Sequence, residues 1–266
     1  MSLKDLDTEG LSGQLASEYF TGSLIRDTVG LDPEGAPEYI ADSITSAISQ
    51  PVQLHTGFEL VKGWNMFGWV YPYSQNVKEA FKSILGYEAD ETDIQIVKDN
   101  NGAVYLVEWG FNGIGDFTPG EGYQIKLPDD SPLEGTLTFP IPASDQSDYP
   151  NYESLIAARN ATTRTLVEGW NMFGYNRSGS KDAIEAFNSA THEGGIGITG
   201  SIIIAKNNEG AALLNLDLAG SGLNGFFNGI GDLTPGEGYQ IKVTETIHGF
   251  KFAEDDINEI QPLIDQ

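Results

Sequence analysis

The chain is predicted to be an α+β protein: two tandem homologous repeats, each a mainly antiparallel sheet with one short packed helix, behind an N-terminal arm. Three observations predict this. Gly63-Trp64-Asn65-Met66-Phe67-Gly68 returns as Gly169-Trp170-Asn171-Met172-Phe173-Gly174. The run Phe111 to Lys126 returns as Phe227 to Lys242 with one change, Phe117 to Leu233. Within each copy a helical pattern sits among strand-like segments. The internal match divides the chain into an arm (1–53), a first repeat (54–139), a linker (140–162), a second repeat (163–253) and a tail (254–266). Each copy has roughly 90 residues, enough to bury one sheet-and-helix core.

In the arm, Thr21 to Glu38 is rich in Gly, Asp and Pro and reads as loop. From Pro37, Tyr39, Ile40, Ile44, Ala47 and Ile48 recur at helical spacing until Pro51 stops them. The arm is either a cap on the first repeat or a docking arm for a larger assembly. Copy one opens with β-rich segments at Phe58 to Val61 and Trp64 to Val70. Trp64 and Met66 face one way and Asn65, Phe67 and Trp69 the other, so both faces carry apolar bulk. That predicts a central, buried strand, with Trp64 and its twin Trp170 in the core.

Asn76 and Asp182 stand where an N-cap accepts from an orphan backbone N–H, and Glu79 and Glu185 follow three residues on, a capping box. In the helices that follow, Val77, Ala80, Phe81 and Ile84 share one face, as do Ala183, Ala186, Phe187 and Ala190. Phe81 and Phe187 are the expected anchors. A hairpin comes next in each copy, turning at Asp99-Asn100-Asn101-Gly102 and at Asn207-Asn208-Glu209-Gly210. Pro119-Gly120 and Pro235-Gly236 predict type II turns, Pro fixing φ and Gly taking φ > 0. They deliver Tyr123, Ile125 and Leu127, or Tyr239, Ile241 and Val243, to the core face of a strand. A last strand near Gly135 to Phe139, or Gly249 to Phe252, closes each unit. Pro140 to Tyr152, rich in Pro, Asp and Ser, reads as linker.

The chemistry these residues can support is narrow. With no cysteine, thiol catalysis and cysteine–metal sites are excluded. Against 14 Lys plus Arg stand 39 Asp plus Glu, a formal charge of −25 that disfavours nucleic-acid binding and docking on anionic lipid. No apolar run reaches the ~20 residues of a membrane helix. The N-terminus lacks the basic start and apolar stretch of a signal peptide, so either that export route is not used or a leader is missing. Gly113-Ile114-Gly115 and Gly120-Glu121-Gly122 open a strand rather than a helix and are studded with acids, so they do not read as phosphate loops. His55, His192 and His248 lack partner patterns, and no HExxH or GxSxG is present. The chain is read as not an enzyme.

Two sets of residues are binding candidates. Asp116 with Glu121, and Asp232 with Glu237, either share a calcium ion or merely serve turn chemistry; no other cofactor is expected. Trp69, Tyr71 and Trp109 differ between the copies. Copy two has Tyr175 and Arg177 at the first two places, and a Gly-rich insertion, Asp217 to Gly225, near the third. Aromatics that one copy lacks suit a contact platform for a sugar or a protein better than scaffold.

Gly-Trp-Asn-Met-Phe-Gly, a helix ending in Ala-Phe, Ile-Val-Lys-Asp, Trp-Gly-Phe-Asn-Gly-Ile-Gly and Gly-Tyr-Gln-Ile-Lys together resemble a repeat of structural proteins in marine bacteriophages. More loosely, the chain is similar to Gly-Trp-Asn…Gly-Tyr repeats of secreted bacterial surface proteins. The first resemblance implies a non-enzymatic virion component: a capsid decoration, fibre or tail-associated protein. Its partners would be other virion proteins or further copies of itself, with neither nucleic acid nor membrane bound. The alternative is an extracellular adhesin or carbohydrate-binding module of a marine bacterium, partnered with a surface glycan. Neither supplies a catalytic residue.

Overall fold

The computed structural model describes residues 58–139 and 152–255, except 219 and 221. The arm with its helix from Pro37, His55, residues 140–151 and the tail from 256 onward lie outside the described residues. All that follows belongs to one unit, Val52–Gln266. It is α+β with antiparallel sheets.

The first half runs β1 (Phe58–Leu60), β2 (Gly63–Gly68), β3 (Gln75–Asn76), α1 (Val77–Leu85), β4 (Ile96–Lys98), β5 (Val104–Leu106), β6 (Phe111–Asn112), β7 (Asp116–Phe117), β8 (Gly122–Leu127) and β9 (Gly135–Leu137). Helix α2 (Tyr152–Ala161) follows. The second half runs β10 (Arg164–Leu166), β11 (Gly169–Gly174), β12 (Lys181–Asp182), α3 (Ala183–Ser189), β13 (Thr191–His192), β14 (Gly195–Ile196), β15 (Ile202–Lys206), β16 (Ala212–Asn215), β17 (Phe226–Asn228), β18 (Asp232–Leu233), β19 (Gly238–Val243) and β20 (Ile247–Phe250). The main sheets are ordered β2-β8-β4-β5-β6 and β11-β19-β15-β16-β17. Two-stranded pairs accompany each: β1 with β9 and β3 with β7, then β10 with β20 and β12 with β18.

Local chemistry explains these elements. The Asn76 side chain accepts from the Lys78 N–H, and that of Asp182 from the Glu185 N–H, so both N-caps form. Phe81 and Phe187 are fully buried at the centre of their helices, as anchors must be. Glu121 N–H donates to the Thr118 carbonyl and Glu237 N–H to that of Thr234, both at 3.1 Å, with Gly120 and Gly236 at positive φ. These are the type II turns. Tyr123, Ile125, Leu127 and their counterparts Tyr239, Ile241 and Val243 are buried.

Three expectations need correction. β2 and β11 are edge strands of their main sheets, not central ones, because β8 and β19 pair only one flank of each along their length. The segment assigned to a linker contains α2, whose Leu155 and Ile156 join the first half's core. Asp255, assigned to the tail, is tied to the body: it pairs with Arg159 at 2.6 Å and accepts from the Ser178 N–H.

The free flanks of β2 and β11 meet each other. Gly68 N–H donates to the Gly236 carbonyl at 2.8 Å, and Gly174 N–H to the Gly120 carbonyl at 2.9 Å. Phe67 bridges to Glu237 and Glu121 to Phe173, so each edge is completed by the start of a strand from the other half. Glycine is required there. A Cβ on Gly68 would collide with the Gly174 backbone, and one on Gly174 with that of Gly68. On Gly122 it would lie 2.6 Å from the Phe173 nitrogen, and on Gly238 2.6 Å from that of Phe67. Covering the edges in this way also removes strand templates that would invite further pairing.

Candidate interaction surface

The sequence-predicted contact residues do not form one site. Trp69 and Tyr71 are fully buried, contrary to a role as surface platforms. They follow β2, where the chain turns inward beneath Phe117 and Phe139, and the Trp69 ring stacks on Phe117 with centroids 4.9 Å apart. Trp69 Nε1 donates to the Tyr73 carbonyl at 2.7 Å, and the Tyr71 hydroxyl accepts from the Phe139 N–H at 2.7 Å. Burial drives the Tyr71 phenol far above its ordinary range. Trp109 alone of the three is exposed, at 72%.

The acidic turns are also used separately. Glu121 pairs with Arg164 at 2.9 Å, and Glu237 accepts from the Tyr239 hydroxyl at 2.8 Å. Asp116 accepts from Asn76 at 3.4 Å, and Asp232 sits opposite Asp182 in the β12–β18 pair. Burial raises the Glu121 and Glu237 carboxyls, the Arg164 charge opposing it at Glu121 and the Tyr239 hydrogen bond at Glu237. Among the described residues no group of three or more His, Cys, Asp or Glu gathers as a metal donor set. Each glutamate of the calcium expectation already serves the body of the fold, Glu121 through Arg164 and Glu237 through Tyr239.

Trp64 and Trp170 face outward, at 47% and 46% exposure, contrary to the core position that the sequence predicts for them. The register shows why they stand out. Cross-strand partners share a face, and Trp64 stands opposite Lys126, which stands opposite Ile96, then Leu106, then Phe111. In the second half the corresponding row is Trp170, Lys242, Ile204, Leu214 and Phe227. The adjacent row is Met66, Gln124, Lys98 and Val104, matched by Met172, Gln240, Lys206 and Ala212. Lys98 Nζ lies 4.7 Å from the centroid of the Trp64 ring, and Lys206 Nζ 5.5 Å from that of Trp170. Phe111 and Phe227 close the rows at the far edge, 54% and 56% exposed. The signal for this face was present in Gly-Tyr-Gln-Ile-Lys: Gln and Lys alternate with buried Tyr and Ile, and pairing places Trp64 beside that lysine.

The inner faces differ between the halves far more than the outer ones. Trp69, Tyr71, Phe117 and Tyr105 face Tyr175, Arg177, Leu233 and Leu213 as counterparts. Where the Tyr71 hydroxyl holds the Phe139 N–H, Arg177 donates to the Phe252 and Ala253 carbonyls at 2.6 Å each. Burial pushes the Arg177 guanidinium down to about 10, with Asp255 opposing. Arg159, also fully buried, spends one nitrogen on Asp255 while its Nε and Nη1 find no partner among the described residues. Arg164 replaces the first half's Phe58 and reaches across the junction to the Gly120 carbonyl at 2.7 Å.

Comparison of the chain with protein families, with curated proteins and with solved structures finds no match.

Proposed function

We propose that the chain is a tandem duplication of one β-rich unit and works without catalysis, as a structural protein of a phage virion. A capsid decoration, a fibre or a tail-associated component fits, joined to other virion proteins or to further copies of itself. One observation carries the binding role: the two outward sheet faces keep the same side chains, apart from Val104 against Ala212, while the cores beneath them have changed. Surface substitutions usually move stability by no more than about 0.5 kcal/mol. Folding does not demand two identical outward faces, whereas contact with something outside the molecule does. The phage setting is supported by the resemblance of the two long runs, whose residues supply the junction glycines and, of the outer rows, Trp64, Met66, Phe111, Gln124 and Lys126 with their counterparts.

The test is recovery with particles. The chain should travel with capsid or tail proteins through a density gradient of purified virions. Recovery in the cell envelope instead would overturn the phage reading in favour of a bacterial adhesin or carbohydrate-binding module, which the exposed Trp64 and Trp170 would equally serve.

A further inference from the structure

We propose that the two outward sheet faces are binding platforms for an acidic polysaccharide, one chain segment per face. The inference rests on the geometry of the faces and not on the virion assignment. Acidic residues outnumber basic ones by 39 to 14 in this protein, yet each face carries two lysines, Lys98 with Lys126 and Lys206 with Lys242. No Asp or Glu stands in either pair of rows. Among the described residues these four lysines, like Lys62 and Lys78, are in no ion pair, whereas Lys82, Lys181 and Lys251 are; what sets the four apart is that they share the outer rows with the aromatic rings. Four cations without acid partners, in a chain of charge −25, are placed for an anion brought from outside.

The apolar groups define what carries that anion. Trp64 and Phe111 lie at opposite edges of a five-stranded sheet, four inter-strand steps or roughly 19 Å apart. Such a surface is open and extended, suited to a polymer laid across the strands rather than to a small molecule held in a pocket. The Lys98 ammonium lies over one face of the Trp64 ring, the other face is the stacking plane offered to a sugar ring, and Gln124 supplies amide hydrogen bonds next to it. Stacking surface, amide and ammonium together recognise a pyranose chain bearing carboxylate or sulfate groups. A single-stranded nucleic acid could also stack and pair with lysine. Successive bases, however, stack on closely spaced aromatic rings, whereas Trp64 and Phe111 stand at opposite edges of the sheet with lysine and glutamine between them, an arrangement that suits a sugar chain better.

The experiment uses the full chain. Electrophoresis through gels containing alginate, a polyuronate, or neutral dextran should show retardation by alginate alone. Calorimetric titration with alginate oligosaccharides should give two sites. Lys98→Gln with Lys126→Gln should reduce that to one site, and adding Lys206→Gln and Lys242→Gln should weaken binding at least tenfold. A second quadruple variant, Lys62→Gln, Lys82→Gln, Lys181→Gln and Lys251→Gln, changes the net charge equally at other places and should still bind. Circular dichroism melts confirm that both variants fold. Three results would overturn the proposal: no preference for alginate over dextran, equal losses in the two quadruple variants, or tighter binding of a twenty-nucleotide oligothymidylate than of alginate oligosaccharide.

Discussion

The two halves share a strand order and an outer face but only part of an interior. The first half closes its core with packed aromatics: Trp69 and Phe139 are tilted with centroids 5.0 Å apart, and Phe67 and Phe58 stack at 4.8 Å. The second half fills the corresponding space with Tyr175, Phe252, Arg177 and Arg159, and one carboxylate from Asp255. One backbone segment is thus pinned by a phenol acting as acceptor in one half and by a guanidinium acting as donor in the other. Interiors tolerate such exchange if volume is filled and polar groups are satisfied. Four glycines are different, because where backbone crosses backbone no side chain can be accommodated, and Gly68, Gly122, Gly174 and Gly238 are the same in both copies.

The comparison can be broken most severely at the helices. Phe81→Ala and Phe187→Ala should each cost about 3–5 kcal/mol in denaturant unfolding; if one lost under 1 kcal/mol, the helices would not be equivalent anchors. At the crossing, Gly68→Ala or Gly174→Ala should cost about 1–3 kcal/mol or more, because rigid backbone opposes the added methyl. Gly179→Ala, with open space around it, should change stability by less than about 0.5 kcal/mol. Equal effects of all three glycine changes would mean that the junction is not close-packed.

Alkaline pH separates the interiors more gently. Burial pushes Tyr123 and Tyr175 up to about 12, so the stability these phenols contribute is intact below pH 10 and is lost as pH rises from about 10 to about 12. Arg177 runs the other way. Its folded state binds protons less tightly than the unfolded chain, so it contributes a gain with pH over the window that begins near 10. Melting temperature followed from pH 9 to 12 should therefore fall, less steeply in Tyr123→Phe and more steeply in Arg177→Met. An unaltered slope in Arg177→Met would place its charge in water. The smallest effect belongs to the outer faces: Lys98→Gln and Lys206→Gln should each cost at most about 0.5–1 kcal/mol in thermal melts. A larger cost at one would show that its face supports the fold rather than a partner.

How much was legible in the sequence follows from how local each determinant is. Asn76 and Asp182 cap helices through bonds to N–H groups within three residues, and Thr-Pro-Gly-Glu closes a turn through one bond across four residues. Both could be read directly. The site could not, because β2 carries apolar residues on both faces and its alternation does not say which face is inside. Trp64 was placed in the core and Trp69 and Tyr71 on the surface, and the fold reverses all three. Aromatics that vary between the halves read as contacts in the sequence, yet a core can exchange side chains wherever volume is refilled, so variation alone does not mark a surface.

The sequence alone determined the strands, the caps, the type II turns and the helix anchors, since each is set by steric limits and hydrogen bonds among neighbouring residues. It also determined the charge and the recurrence of the two runs. Only the tertiary structure decided which edge of each sheet is covered, which face of β2 meets water, and why Gly68 and Gly174 admit no side chain. Those outcomes depend on backbones about a hundred residues apart approaching one another, a long-range packing constraint that no local periodicity encodes.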